Sequence, residues 1–158
     1  MNRPAPAGYS RPQIALHWLT LLLLVGIWLT RGGAGRALDA AREGAAVGLP
    51  VHAWIGLAIL IVTLARIALR VTRGAPAPVA TDSAAQQRAT VWGHRLLYAL
   101  LVLVPLGGAF MWFSGSPAPH GLLGYGLFVV VLGHAALAIW HERVKRDGAM
   151  QRMIRPTD

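Results

Sequence analysis

The chain has 158 residues, 55% of them hydrophobic and 13% charged, whereas a soluble globular domain carries roughly a quarter charged residues and a disordered chain few apolar ones. Disorder is excluded. The formal charge of +9 comes from 15 Lys and Arg against 6 Asp and Glu, but these charges sit in short stretches between long apolar runs, the pattern of a membrane protein and not of a nucleic-acid binder. The absence of cysteine removes disulfides, Cys-ligated iron–sulfur clusters, thiolate zinc sites and covalent haem attachment through C-x-x-C-H.

A membrane-spanning helix needs about 20 apolar residues. Between Arg11 and Arg31 the run QIALHWLTLLLLVGIWLT, with Pro12 ahead of it, is uncharged, and so is the stretch from Gly44 to Ala65; these predict two spans, at about 12–31 and 48–70. From Leu96 to His141 there is again no Asp, Glu, Lys or Arg. As one helix this run would be about 69 Å long, more than twice the hydrocarbon thickness. It has to fold back, and SGSPAPHG, Ser114 to Gly121, is the stretch with the turn chemistry to do it. Two further spans follow, at about 91–113 and 120–142. The segments outside are thin: a Gly/Ala-rich loop or short surface helix from Arg31 to Leu49, an extended Pro/Ala/Ser loop from Gly74 to Gln87, and a basic tail, helical at first, from Glu142. None can bury a core of its own. The prediction is an all-α membrane protein, a single domain over 1–158 folded as a four-transmembrane-helix bundle.

Positive residues near span ends stay cytoplasmic. With both termini cytoplasmic, the inner side holds Arg3, Arg11, Arg66, Arg70, Arg73, Arg88, Arg95, Arg143, Lys145, Arg146, Arg152 and Arg155, leaving Arg31, Arg36 and Arg42 outside. Tryptophans favour both interfaces, and Trp18, Trp92 and Trp140 fall toward the inner side while Trp28, Trp54 and Trp112 fall toward the outer. The competing reading of the first span is a secretory signal peptide, with RGGAGRALDA as its cleavage region, but the apolar run exceeds the usual 7–15 residues.

Ionisable residues inside a bilayer are costly and mark function. All six histidines lie in or at the ends of spans. His120 and His134 are 14 residues apart, which brings them to within about 40° of one helix face and separates them by about 21 Å. His52, opening the second span, is level with His120; His17, near the inner start of the first, is level with His134. Two imidazoles on facing helices at one depth can sandwich a flat macrocycle whose iron takes both as axial ligands. Zinc fits less well, because structural zinc gathers four ligands and these pairs are too far apart to combine. Gly56 and Gly124 each follow an outer-level histidine by one turn, where a missing side chain would let a porphyrin approach the backbone; close helix packing by small residues explains them equally. Arg66 lies 14 residues after His52, on the same face and at the inner depth. It either pairs with a haem propionate, since no carboxylate lies in the spans, or snorkels to the interface.

These residues resemble a known family. SRPQIALHWLT, the pattern His52-x-x-x-Gly56 running to Arg66 and Arg70, GHRLLYALLVLVPLGG, and GHAALAIWHERVKRDGAMQRMIRP together are similar to bacterial cytochrome b561, and the likeness covers nearly the whole chain. It implies a multi-pass inner-membrane protein with two non-covalent haem b groups that exchanges electrons with quinone. Carried over by position, it implies His17 with His134 on the inner haem and His52 with His120 on the outer, the pairing that depth suggests. His94 and His141 match family histidines at the inner edge; an interfacial role is the simpler expectation, a propionate or quinone-edge role the other. The connection before the fourth span, Ser114 to Pro119, is shorter than in many members. The implied function is transmembrane electron transfer by bis-histidine haems, which leave no open iron position, with membrane lipid, quinone and a redox protein as partners. Superoxide:quinone oxidoreductase activity and service as the membrane anchor of a dehydrogenase or hydrogenase are the alternatives. A haem-free scaffold or transporter would lack the acidic residues of an ion path.

Overall fold

A computed structural model describes residues 6–79, 82–115 and 119–157. Four helices follow one another: α1 Arg11–Arg42, α2 Val51–Arg73, α3 Ala84–Ser114 and α4 His120–Trp140, the last continuing as a π turn His141–Lys145 and a 3-10 turn Met150–Met153. There is no strand among the described residues, and all four helices are long and apolar enough to cross a membrane. They run up and down, so the first and last described residues lie at one end.

Two helices outrun their predicted spans for local reasons. α1 continues as one helix of 32 residues through most of the region expected as a loop or short surface helix, because Ala, Leu and Arg in AGRALDAAR outweigh the helix-weakening glycines before them. α3 begins at Ala84, inside the expected loop, because Ser83-Ala-Ala-Gln86 is a capping box: the Ser83 N–H donates to Gln86 Oε1 at 2.9 Å and the Gln86 N–H to Ser83 Oγ at 3.3 Å. Such reciprocal bonds satisfy amides that a helix start otherwise leaves open. Ser10 and Gln13 do the same at the start of α1, where Gln13 Oε1 accepts from the Ser10 N–H at 3.0 Å. The turn after α3 begins at Gly115, whose φ of +67° is left-handed, the geometry that glycine supplies at a helix C-terminus.

The buried core draws from every helix: Leu24, Ile59, Leu101, Val104 and Leu127. Long apolar side chains such as Leu29, Ile61, Phe113, Leu122 and Val129 point outward, as they do where lipid covers the bundle. Since lipid is as apolar as leucine, helix association rests on packing and polar contacts more than on burial. The closest backbone packing joins α1 to α2, α2 to α3 and α3 to α4.

At the terminus end, the tail ties the loops together. Trp18 Nε1 donates to the Met153 carbonyl at 2.8 Å, Arg152 to the Ala77 carbonyl at 2.7 Å, and the Thr157 N–H to the Tyr9 carbonyl at 3.2 Å. Arg146, at φ +54°, reverses the chain so that Asp147 returns to His141, with Oδ2 and Nδ1 2.5 Å apart. Lys145 pairs with buried Asp82. Donor atoms of Asp82, His141 and Asp147 converge, and the Lys145 ammonium supplies the cation among them. Burial works to raise the Asp147 carboxyl, but hydrogen bonds from His141 and the Ala149 N–H, with the nearby His141 and Lys145 charges, hold it below the ordinary carboxylate value of 3.8. A depressed folded value contributes stability that is present above the unfolded value and lost as pH falls through the folded one. The tail should therefore resist limited proteolysis after Arg152 at pH 5 to 7 and lose that protection below about pH 4.

Candidate functional site

One ridge of α2 carries His52, Gly56, Ile59, Thr63, Arg66 and Arg70, spaced alternately four and three residues, so that they line a single helix face. This ridge turns inward: Gly56, Ile59 and Thr63 are buried. α4 carries His120 and His134 on its own inward side. Two histidine pairs result, at the two levels expected. His52 and His120 have ring centroids 6.0 Å apart, and His17 and His134 have theirs 6.3 Å apart. The first pair joins α2 to α4 and the second joins α1 to α4, and neither helix pair is among those in closest backbone packing. The histidines thus face each other where the helices stand apart.

The outer pair is held in a defined tautomer. The His52 Nδ1–H donates to the Ile27 carbonyl at 3.1 Å and the His120 Nδ1–H to the Val104 carbonyl at 2.9 Å. A carbonyl only accepts, so each ring keeps an unprotonated Nε2, the state that a metal ligand needs. Thr30, which donates to the Gly26 carbonyl at 2.9 Å, lies 3.4 Å from His52 Nδ1 and backs that ring. Val104 offers its carbonyl beside Pro105, the proline inside α3.

The inner level is more crowded. Arg66 turns into the bundle, donating from Nη2 to His17 Nδ1 at 3.1 Å and from Nη1 to Thr20 Oγ1 at 3.1 Å, with its guanidinium 5.4 Å from the Tyr98 ring centre. It does not snorkel. A guanidinium cannot accept, so His17 here carries its proton on Nε2. His94, expected at the interface, lies 5.2 Å from the His134 ring, edge to face, with its Nδ1–H donating to the Thr90 carbonyl at 2.7 Å. The contact with His134 brings His94 to the inner histidine level and not to the interface. His141 stays at the end of the bundle on Asp147.

The arrangement fits a bis-histidine haem. A metal–imidazole bond of about 2 Å, plus about 1 Å from nitrogen to ring centre, sets two axial imidazole centroids about 6 Å apart. Both pairs meet that span. A Cβ on Gly124 would meet nothing within 4 Å, as at Gly121, Gly126 and Gly133 of the same helix, so Gly124 leaves room for a macrocycle without marking one, whereas a Cβ on Gly56 would meet Ile27 Cδ1 at 3.7 Å, ordinary helix contact. Two residues on the site escape a reading of the sequence alone. Gly108 lies directly against His120: a Cβ there would sit 2.9 Å from His120 Cε1. Thr63 is fully buried and its hydroxyl is unpaired, at a cost of about 1–3 kcal/mol, unless a bound group brings a partner. The spacing of Thr63 from His52 was the available signal; nothing local pointed to Gly108, because its neighbour comes from another helix.

Comparison with known proteins agrees with this architecture. A model of the prokaryotic cytochrome b561 family matches residues 8–156. The chain is 37% identical over 155 residues to a protein named cytochrome b562 from Cereibacter sphaeroides, covering 94% of this chain and 96% of that one. It is 27% identical over 173 aligned residues to a probable superoxide oxidase, CybB, from Yersinia pestis, covering 92% and 95%. It is 23% identical over 175 to cytochrome b561 homolog 2 from Escherichia coli, covering 94% and 92%. Four membrane-crossing helices, inward-facing histidines and a match over most of the length lead to one conclusion: the chain belongs to the prokaryotic cytochrome b561 family, membrane proteins of electron transfer whose name implies haem b.

Proposed function

We propose that the protein holds two haem b groups, the outer between His52 and His120 and the inner between His17 and His134, and moves single electrons across the bacterial inner membrane, exchanging them with a quinone. The observation that carries this reading is the pair of imidazole pairs, 6.0 and 6.3 Å between centroids, about 21 Å apart along α4. Bound there, the haems would supply one-electron carriers at two depths. The protein's own part is to fix the tautomers of His52 and His120, to keep water out with Leu24, Ile59 and Leu127, and to bring the Arg66 charge to the inner level. A reduced-minus-oxidised spectrum of the detergent-purified protein, with a pyridine haemochrome assay, should give two b-type haems per chain. A ratio of one or none overturns the reading.

Gly108 provides a sharper check on the outer site. Gly108→Ala would push the His120 ring off the Val104 carbonyl, and loss of such an orienting hydrogen bond lowers metal-site affinity by about 10–100-fold. Haem titration should show the outer site weakened and the inner one unchanged. Orientation rests on the twelve cationic residues assigned to the terminus end against three at the other. Reporter fusions after Met153 and between Thr72 and Ala89 should read cytoplasmic, and a fusion near Asp39 external; an external C-terminus would reverse which haem faces which side.

A second reading, superoxide:quinone oxidoreductase, draws on the similarity to the probable superoxide oxidase and on Arg31, Arg36 and Arg42 at the outer end of α1, which favour the approach of an anion. Comparing reduction by superoxide with reduction by quinol separates it from a pure carrier. A role as membrane anchor for a dehydrogenase or hydrogenase would appear as a co-purifying soluble subunit.

A further inference from the structure

Away from the histidines, a cleft of about 480 Å³ opens between the start of α3 and the loop before it, lined by Pro78, Gln87, Arg88, Val91, Trp92 and Arg95. Arg88 and Arg95 are two turns apart on one helix face, about 10 Å along the axis, with Trp92 between them. The Arg95 guanidinium stacks 4.7 Å from the Trp92 ring centre. Among the described residues neither arginine has an acidic partner, and Asp82, the nearest carboxylate in sequence on this side, is engaged by Lys145. Two guanidinium groups thus share a cleft with no acidic partner among the described residues.

Its level in the membrane follows from sequence. Arg95 is the last charge before the uncharged run that starts at Leu96, so the cleft stands where α3 enters the hydrocarbon. Trp92, 63% exposed, is the kind of residue that settles at that boundary. Directly along the helix, Leu96, Leu103, Leu106 and Phe110 are exposed on the outer face; with Trp92 they recur at four, seven or three residues and form one apolar strip reaching into the bilayer. A cationic cleft at headgroup depth joined to an apolar strip below it matches a molecule with a phosphate at one end and hydrocarbon at the other.

We propose that Arg88, Trp92 and Arg95 form a binding site for the headgroup of an anionic phospholipid, with an acyl chain laid along Leu96, Leu103 and Phe110. The arginines meet the phosphate through charge-assisted hydrogen bonds, with Arg favoured over Lys because its planar fork matches phosphate oxygens. Gln87 Nε2 donates to the Asp82 carbonyl at 3.0 Å, which leaves its second N–H to meet a headgroup oxygen. The strip selects a lipid over a free phosphate, which has nothing to place on it. The site is independent of the haem assignment, since no residue in it touches a histidine pair.

The test uses the detergent-purified full chain, titrated with phosphatidylglycerol, phosphatidylcholine or inorganic phosphate, with bound lipid counted by native mass spectrometry. The wild type should bind one phosphatidylglycerol in preference to phosphatidylcholine. Arg88→Gln with Arg95→Gln should weaken that binding by about tenfold or more, while Arg143→Gln with Arg146→Gln, at the same end but outside the cleft, should leave it unchanged. Raising salt on the wild type should weaken phosphatidylglycerol and not phosphatidylcholine, which keeps the proposal testable if the double variant fails to fold. Equal binding of the two lipids, or unchanged binding in the Arg88/Arg95 variant, overturns it. Displacement of the lipid by equimolar inorganic phosphate would make the cleft a simple anion site and overturn the lipid assignment.

Discussion

Replacing His52 or His120 with Ala should strip the outer haem and leave the inner, and replacing His17 or His134 should do the reverse, each variant falling from two haems to about one per chain. The effect is large because a non-covalent haem held by two axial bonds has little else specific to keep it once one is gone. The outer pair gives the cleaner result. Both of its rings already present an unprotonated Nε2, fixed by the Ile27 and Val104 carbonyls, and no third histidine is in ring contact with them. The inner level offers three imidazoles, so His94→Ala is the necessary control. His94 is nearer to His134 than His17 is, 5.2 against 6.3 Å, but the shorter distance is that of rings in direct edge contact and leaves less room for an intervening iron than the about 6 Å required. His94→Ala should therefore keep both haems. If His94→Ala loses one and His17→Ala keeps both, the inner pair is His94 with His134.

Much of this was legible in sequence, and the reasons differ by residue. Span number followed from the length of the uncharged run between Arg95 and Glu142, because a bilayer imposes a fixed thickness on any helix that crosses it. The equal depths of His52 with His120 and of His17 with His134 followed from helical rise alone. Helix ends were less legible where charge was taken to mark a boundary: Arg36 and Asp39 read as loop or short surface helix, yet α1 continues through them because the Ala, Leu and Arg residues around them favour a helix. The contact of His94 with His134 was not legible either, because it joins two helices. The ring tautomers, the approach of Gly108 to His120 and the turn of Arg66 toward His17 were beyond reach, since each depends on the rotation of one helix against another, and in lipid the apolar pattern encodes that rotation weakly when every face is apolar.

Arg66→Leu should lower the reduction potential of the inner haem and weaken its retention, with Arg70→Leu doing less. Arg66 is half-buried at the inner level without a carboxylate: its donors go to His17 Nδ1 and Thr20 Oγ1, and no acidic residue lies within the apolar stretch of a helix, Asp39 being in the last turn of α1 and Glu142 in the turn that follows α4. A half-buried guanidinium with only neutral acceptors is poorly compensated. The bond to His17 also sets the wrong tautomer for ligation through Nε2. For His17 to offer that nitrogen to iron, the ring proton has to move to Nδ1, and the Arg66 donor then has nothing to bond there. Haem loading would thus release Arg66 from His17 at the depth where a propionate could accept a bidentate pair. One positive charge at a separation of about 8 Å, with an effective dielectric of about 20, amounts to roughly 2 kcal/mol; for a one-electron couple, about 59 mV accompanies each 1.4 kcal/mol. The sign is fixed, because a positive charge favours the electron-richer reduced state, so its removal moves the potential down by several tens of millivolts after screening. Arg66→Lys should recover most of the potential but not the bidentate hold, leaving haem retention below wild type. Arg70, one turn nearer the end of α2 and 6.0 Å from the Tyr98 ring centre, lies closer to water, where its charge is better screened. If redox titration of Arg66→Leu gives both potentials unchanged with full haem occupancy, Arg66 has no propionate partner, and its role is confined to bridging α2 to His17 and Thr20 of α1.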